Sequence, residues 1–278
     1  MSQVYPKVTC LCPTFGRAHL LEEAIHSFHL QDYPGTKELI VLNDFSLQQF
    51  QYEHPEVRVI NAKCRFPTLG EKRNAAAELA KGEWLVTWGD DDIHLPHRLR
   101  RLVEVANGAG LSILLEGWHY YYDGAHLRVN QDVTTGAHLI SKDLYWRAGG
   151  IAAMNNGEDG DFNRRVRNAL GLATLPFAAG APAFIYRWGG TDRAHLSAMG
   201  APGAEANDGY EAMERLAVAL VRDDREPAGE IYLSPRWSRS WDQLGQTALA
   251  EWMDTEEGGQ AQAGRGRGIF WTGDLVHA

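Results

Sequence analysis

Trp84-Leu85-Val86-Thr87-Trp88-Gly89-Asp90-Asp91-Asp92 joins five strand-forming residues to three carboxylates across a single glycine. The apolar run is too short for a helix and reads as a buried strand. Three adjacent carboxylates raise one another's pKa, so they are costly unless a cation neutralises them. A hard divalent ion, Mg or Mn, suits such a place, because it takes oxygen ligands and needs only one or two protein carboxylates. The competing reading is a solvated acidic turn capping the helix that follows Pro96. The position of the run at the end of a strand favours the metal, since ligands of open α/β sheets gather beyond the carboxyl ends of the strands.

The same alternation recurs upstream. Val8 to Cys12 reads as a strand, followed by the turn Pro13-Thr14-Phe15-Gly16-Arg17 and by Leu20, Leu21, Ala24, Ile25 and Phe28 at helical spacing. Leu39 to Leu42 is a second strand ending at Asn43-Asp44, and Val57 to Ile60 a third. A helix is predicted from about Glu71 to Ala80, closed by Gly82, and another from Pro96 to about Asn107. Strands alternating with helices predict an α/β fold with a mostly parallel sheet covered on both faces. Thr14, Asp44 and the run Asp90 to Asp92 each follow a strand directly, so they should converge on one edge.

After Asn107 the texture changes. Leu111 to Tyr122 and His126 to Val129 read as strands joined by the hairpin signal Asp123-Gly124, and Ala137 to Ser141 as another. Gly157-Glu158-Asp159-Gly160-Asp161 heads a helix ending near Gly171, and a strand from Ala183 to Trp188 leads into Gly189-Gly190-Thr191-Asp192-Arg193-Ala194-His195. The expected organisation is one domain over residues 1–228, with a nucleotide-binding half (1–107) and a mixed-sheet acceptor half (108–228). A C-terminal helix and loose tail (229–278) should follow. Trp237, Trp241, Leu244 and Trp252 are predicted on one helical face. That face either packs on the body, as tryptophan commonly does, or touches a membrane surface peripherally.

The 278 residues carry a formal net charge of -9, which argues against a dedicated nucleic-acid partner, because such affinity rests on clustered Lys and Arg. No apolar run approaches the roughly 18 residues of a membrane span, and no signal-peptide pattern opens the chain, so a cytoplasmic location is expected. Cys10, Cys12 and Cys64 lack the spacing of a disulfide framework or zinc site. Cys10 and Cys12 share one strand face and are expected in the core.

Several residues could carry chemistry. Asp44 follows its strand without a loop, where it could accept hydrogen bonds from a base or ribose or merely bond its own turn. Gly70-Glu71-Lys72-Arg73-Asn74 puts two cations and an amide at a helix start, a place suited to a diphosphate or donor sugar. Glu158, Asp159 and Asp161 stand at a helix N-terminus, where they cap the helix or supply a general base for an acceptor hydroxyl. His94 and His97 sit on the turn and helix after the acidic run and are read as structural. His195 follows a strand and a Gly-Gly segment that could fold over a bound nucleotide.

In their order along the chain these motifs resemble glycosyltransferase family 2, the inverting GT-A enzymes, over about residues 5 to 200. Pro13 to Arg17 resembles the family's opening nucleotide loop, with Thr14 and Arg17 in it, and Asn43-Asp44-Phe45-Ser46 its uracil-contacting segment. Gly70 to Asn74 is similar to the segment that approaches nucleotide and donor sugar. Asp90-Asp91-Asp92 resembles the DXD region, Glu158-Asp159 before Arg164 and Arg165 the ED motif, and Tyr186, Arg187 and His195-Leu196-Ser197 the closing segment in which a His can join the metal. The resemblance implies a Rossmann-like nucleotide half fused to a mixed-sheet acceptor half, a UDP-linked sugar donor and a Mn or Mg ion. It also implies Asp159 as the base of a single displacement that inverts the anomeric carbon. Where many relatives carry another Asp this chain has Gly89, which leaves the metal ligand open, with Asp92 preferred, then Asp90. The acceptor stays unknown: a saccharide, a lipid-linked molecule or a small molecule. Two rivals remain. A sugar nucleotidyltransferase would carry a Gly-rich phosphate loop after the first strand, where this chain has a single Gly, and a catalytically silent nucleotide-sugar or glycan binder would not need Glu158-Asp159.

Overall fold

The computed structural model of the protein describes residues 5–130, 138–178, 181–187, 209–255 and 269–270. Its first half comprises β1 (Val8–Thr14), α1 (Ala18–His29), β2 (Lys37–Asn43), β3 (Gln48–Gln51), β4 (Val57–Asn61), α2 (Leu69–Leu79), β5 (Trp84–Thr87), β6 (Ile93–His94) and α3 (Arg98–Gly108). Then come β7 (Ile113–Glu116), β8 (His119–Tyr122), β9 (Leu127–Asn130), β10 (His138–Ser141), α4 (Lys142–Arg147), α5 (Glu158–Leu170), β11 (Phe177–Ala178) and β12 (Phe184–Arg187). The last described elements are α6 (Gly209–Arg222), β13 (Gly229–Tyr232), α7 (Trp241–Met253) and β14 (Ile269–Phe270).

The main sheet runs β14-β11-β7-β10-β5-β1-β2-β4. Strands β4, β2, β1 and β5 are parallel, as their alternation with helices requires. β10 lies antiparallel between β5 and β7, so the second half is mixed as expected. From β1 the chain builds outward through β2 and β4, then returns to place β5 on the other flank of β1. A crevice therefore opens beyond the carboxyl ends of β1 and β5, the switch point where α/β folds bind ligands.

The pleat sends alternate side chains to opposite faces. Cys10, Cys12, Leu39, Val41 and Val86 meet Leu21, Ala24 and Phe28 of α1 and Leu99, Leu102 and Val103 of α3. Leu11, Ile40, Leu42, Leu85 and Ile140 meet Ala76 and Ala77 of α2, Leu144 of α4, and Phe162 and Val166 of α5. Cys10 and Cys12 are fully buried, as their spacing predicted, while Cys64 is exposed.

Three elements differ from the sequence reading. The stretch Leu111 to Tyr122 is not one strand: it breaks at Gly117 into β7, in the main sheet, and β8, in a second sheet of order β6-β12-β8-β9. A Cβ at 117 would lie 2.4 Å from the Phe177 ring, so only glycine lets the chain cross there. Helix α2 starts at Leu69 rather than Glu71, because Thr68 accepts a hydrogen bond from the Glu71 amide at 3.1 Å and caps it. Trp237 precedes α7 instead of lying on it. The tryptophans also turn toward the body: Trp237 Nε1 donates to Ser27 Oγ at 2.9 Å, Trp241 is buried, and the Trp252 ring sits 4.9 Å from Trp118. These contacts support the packed reading of the segment over a membrane-facing one. No described helix is long and apolar enough to cross a membrane. An unforeseen pairing, β13 parallel to β3, also ties this segment to the first half.

Candidate functional site

The acidic run leaves β5 at the crevice, and Arg17, just past β1, reaches across to it. Arg17 Nη1 donates to Asp91 Oδ2 at 2.8 Å and Nη2 to Asp90 Oδ1 at 2.6 Å. All three groups are buried, so the guanidinium offsets most of the repulsion between the two carboxylates. Burial still keeps the Asp90 pKa above the usual carboxylate range, Arg17 opposing the shift and Asp91 adding to it. Asp92 is held differently: its Oδ1 accepts the Arg187 backbone N–H at 3.3 Å. A Cβ on residue 89 would lie 2.6 Å from Asp92 Oδ2, so Gly89 makes the space into which this carboxylate folds.

Helix α2 supplies the neighbouring cations from its first turn. Lys72 Nζ donates to the Thr14 carbonyl at 2.7 Å and to Asp44 Oδ1 at 2.5 Å, and Asp44 Oδ2 accepts the Phe66 amide at 3.0 Å. Burial lowers the Lys72 pKa, and Asp44 counters that shift. The next residue, Arg73, pairs with Asp159 and, at 3.3 Å, with Glu158. Asn74 turns away from the crevice. Its Oδ1 accepts from Tyr145 Oη at 2.7 Å and the Ile151 amide at 2.8 Å, and its Nδ2 donates to the Ile151 carbonyl. With its amide committed to this loop, Asn74 fits a positioning role better than direct contact with a donor.

At α5 the left-handed Gly157, at φ 73°, turns the chain so that Glu158, Asp159 and Asp161 fill the first helical turn. Glu158 is buried, which raises its pKa in spite of Arg73. Asp161 is taken up by its own helix, accepting from Arg164 at 2.5 Å and Arg165 at 2.7 Å. Asp159 and Glu158 both pair with Arg73, and Asp159 is the more exposed of the two. Tyr186 of β12 lies within the field of both ends, since burial and then Asp92, Asp91 and Asp159 raise its pKa.

Other placements were not legible in the sequence. The Phe15 and Phe45 rings meet at 4.8 Å, and Arg65 lies 4.6 Å over Phe15 and 3.6 Å over Tyr210 of α6, forming a wall beside Asp44. Glu23 of α1, outwardly an ordinary polar helix residue, is 5% exposed and pairs with Arg187, whose Nε donates to the Asp91 carbonyl. His94 has both ring nitrogens engaged, by Arg98 at 2.8 Å and the Gly89 carbonyl at 3.2 Å, in keeping with a structural role. His97 precedes α3. His195 lies outside the described residues.

A metal fits the oxygen donors of the acidic run. Gly89 leaves room beside it for Asp92 Oδ2, at the mouth of the run that Arg17 pairs through Asp90 and Asp91. Ions such as Mg or Mn ask for one or two carboxylates and take the rest from water and phosphate. Among the described residues, His29, His54 and Glu56 bring three ligand atoms within 4.8 Å of one another. That trio sits at the opposite, amino end of β2 and β4, and is already knotted: Lys37 holds Glu56 at 3.2 Å, His54 Nδ1 accepts the Glu56 amide, and His29 bonds Tyr52.

Residues 9–161 match the family described as glycosyl transferase family 2. The chain belongs to this family. Among curated family 2 relatives, it is 32% identical over 130 residues to the succinoglycan biosynthesis protein ExoO of Rhizobium meliloti, covering 45% of this chain and 37% of that one. It is 33% identical over 110 residues to the GalNAc(5)-diNAcBac-PP-undecaprenol beta-1,3-glucosyltransferase of Campylobacter jejuni, covering 37% and 35%. The chain thus spans little more than a third of the length of either. Crystal structures of S. aureus TarS 1-349 share the GT-A-like fold. The complex with UDP superposes with a TM-score of 0.54 at 14% identity over 91% of this chain and 73% of that one. The complex with UDP-GlcNAc gives 0.55 at 15% over 88% and 71%. The family match ends at the first turn of α5, so Arg187, α6 and α7 lie beyond it.

Proposed function

We propose that the protein transfers a sugar from a nucleoside diphosphate sugar, UDP-linked, to an acceptor hydroxyl, with inversion and with a divalent ion. The observation that carries this reading is that consecutive residues of one helix turn tie both ends of the crevice together. Lys72 binds Asp44 and Thr14, and Arg73 binds Asp159. The TarS complexes with UDP and UDP-GlcNAc support a nucleotide-sugar donor.

In this reading Asp44, with Phe15 and Phe45 beside it, receives the nucleobase, and Lys72 holds that carboxylate in place. Arg17 and Lys72 present positive charge to the diphosphate. Asp92 would ligate the Mn or Mg ion, with Asp90 second, and the ion would supply charge neutralisation for the departing nucleoside diphosphate. Asp159 accepts the proton of the acceptor hydroxyl as its oxygen attacks the anomeric carbon, and Arg73 holds the Asp159 side chain in place. Residues 1–107 then serve the donor, 108–228 the acceptor, and 229–278 contribute support through β13 and α7.

The test is thermal melting with Mn or Mg and a panel of nucleoside diphosphates, followed by a screen of nucleotide sugars for metal-dependent hydrolysis. A ligand that binds only the native state raises the melting temperature by mass action. UDP with metal should shift it most. No shift with any nucleoside diphosphate overturns the proposed site.

A further inference from the structure

We infer that Glu23 is a positioning residue for the acidic run, through which the C-terminal segment sets the geometry of Asp91 and Asp92. This inference rests on the proposed metal and nucleotide site. Glu23 touches neither ligand; it acts through Arg187. One carboxylate oxygen, Oε2, holds Arg187 Nη1. Arg187 in turn grips the acidic run twice, donating from Nε to the Asp91 carbonyl and from its backbone N–H to Asp92 Oδ1 at 3.3 Å. The other oxygen, Oε1, is saturated by the C-terminal segment, accepting from the Ser238 amide at 2.8 Å, Ser238 Oγ at 2.7 Å and Trp241 Nε1 at 3.0 Å. The Trp241 ring also lies 5.6 Å from the Arg187 guanidinium.

Glu23 and Arg187 are both within 5% of full burial, and a buried ion pair that loses one charge leaves the other uncompensated. The partners that Arg187, Ser238 and Trp241 present to the Glu23 carboxylate are all donors. An amide at position 23 must therefore point its own N–H groups at donors in either orientation, and Arg187 has to move. Because Arg187 and Asp92 share a hydrogen bond, that movement is delivered to the carboxylate expected to bind metal. Outer-shell partners that orient a metal ligand are typically worth 10- to 100-fold in metal affinity.

The experiment is to titrate Mn into Glu23→Gln in the presence of saturating UDP, reading UDP binding by calorimetry, with melting temperature measured on the same sample. The half-saturating Mn concentration should rise about tenfold, and Trp241→Phe, which keeps an aromatic side chain and removes one donor to Glu23, should move it by a smaller factor, about two- to threefold, in the same direction. A Glu23→Gln protein that melts lower yet keeps the parental Mn requirement overturns the inference, since Glu23 would then serve the fold alone. If Glu23→Gln does not fold, Trp241→Phe and Ser238→Ala decide on the same criterion. A parent protein that binds UDP with no Mn requirement overturns both this inference and the metal assignment beneath it, whereas an Mn-dependent parent with unmoved variants overturns this inference alone.

Discussion

At the level of single residues the proposed mechanism separates into three measurable losses. Asp159→Asn keeps the size and capping ability of the side chain and removes the base, so the variant should bind UDP as the parent does and lose transfer by about a hundredfold or more. Transfer near the parental rate would move the base elsewhere; Asp161 is a poor substitute because Arg164 and Arg165 already hold it. Asp92→Asn should abolish the Mn dependence of UDP binding measured by calorimetry. Asp44→Ala should weaken UDP binding while leaving a metal response, and equal loss of both in folded Asp44→Ala would undo that division. The positions of the acidic run and Asp44 were legible because each abuts an apolar strand, and those of Lys72 and Arg73 because they head an alanine-rich helix. Which cation meets which carboxylate was not. That Lys72 turns to Asp44 and Arg73 to Asp159 depends on how α2 is rotated against the sheet, and sequence spacing does not encode that rotation. Asn74 was expected at the donor and instead bonds Tyr145 and Ile151, because its chain position is compatible with either.

At the level of elements, alternation of strands and helices sufficed for the parallel half, where β1 and β2 are buried along nearly their whole length. It failed at Leu111 to Tyr122, because continuous β propensity cannot show that a strand changes sheets midway, and the break rests on one contact between Gly117 and Phe177. The start of α2 was legible in principle, since Thr68-Leu69-Gly70-Glu71 has the spacing of a capping sequence. Thr68→Ala should lower stability by about 1 kcal/mol in a denaturant titration. Because the cap precedes Lys72 and Arg73 by one turn, the same variant should also loosen UDP binding. An unchanged denaturation midpoint would mean that water caps the helix equally well.

At the level of the whole molecule, the site is assembled from residues that no local pattern could connect, and Glu23 is the plainest example. Burial works to raise its pKa, but Arg187 and the donors of Trp241 and Ser238 outweigh burial and hold the pKa below the ordinary 4.5. A carboxyl lowered on folding contributes stability that is full above its unfolded pKa and is lost as pH falls through its folded one. The stability gap between the parent and Glu23→Gln should therefore be widest near neutrality and close below about pH 4.5, as followed by urea titrations across pH. A gap independent of pH would assign the loss to packing rather than charge. The same long-range contacts impose an order of events during synthesis. The α1 amide of Ala18 donates to Glu226, 208 residues downstream, and Glu23 meets Trp241 across 218. At roughly 5 to 20 residues per second a ribosome needs about 10 to 40 s to supply them. Glu23 has no Arg187 to pair with until residue 187 is made, and its Oε1 has no donors until the segment around Ser238 and Trp241 follows, so the nascent chain can build the parallel sheet well before the acidic run is fully held.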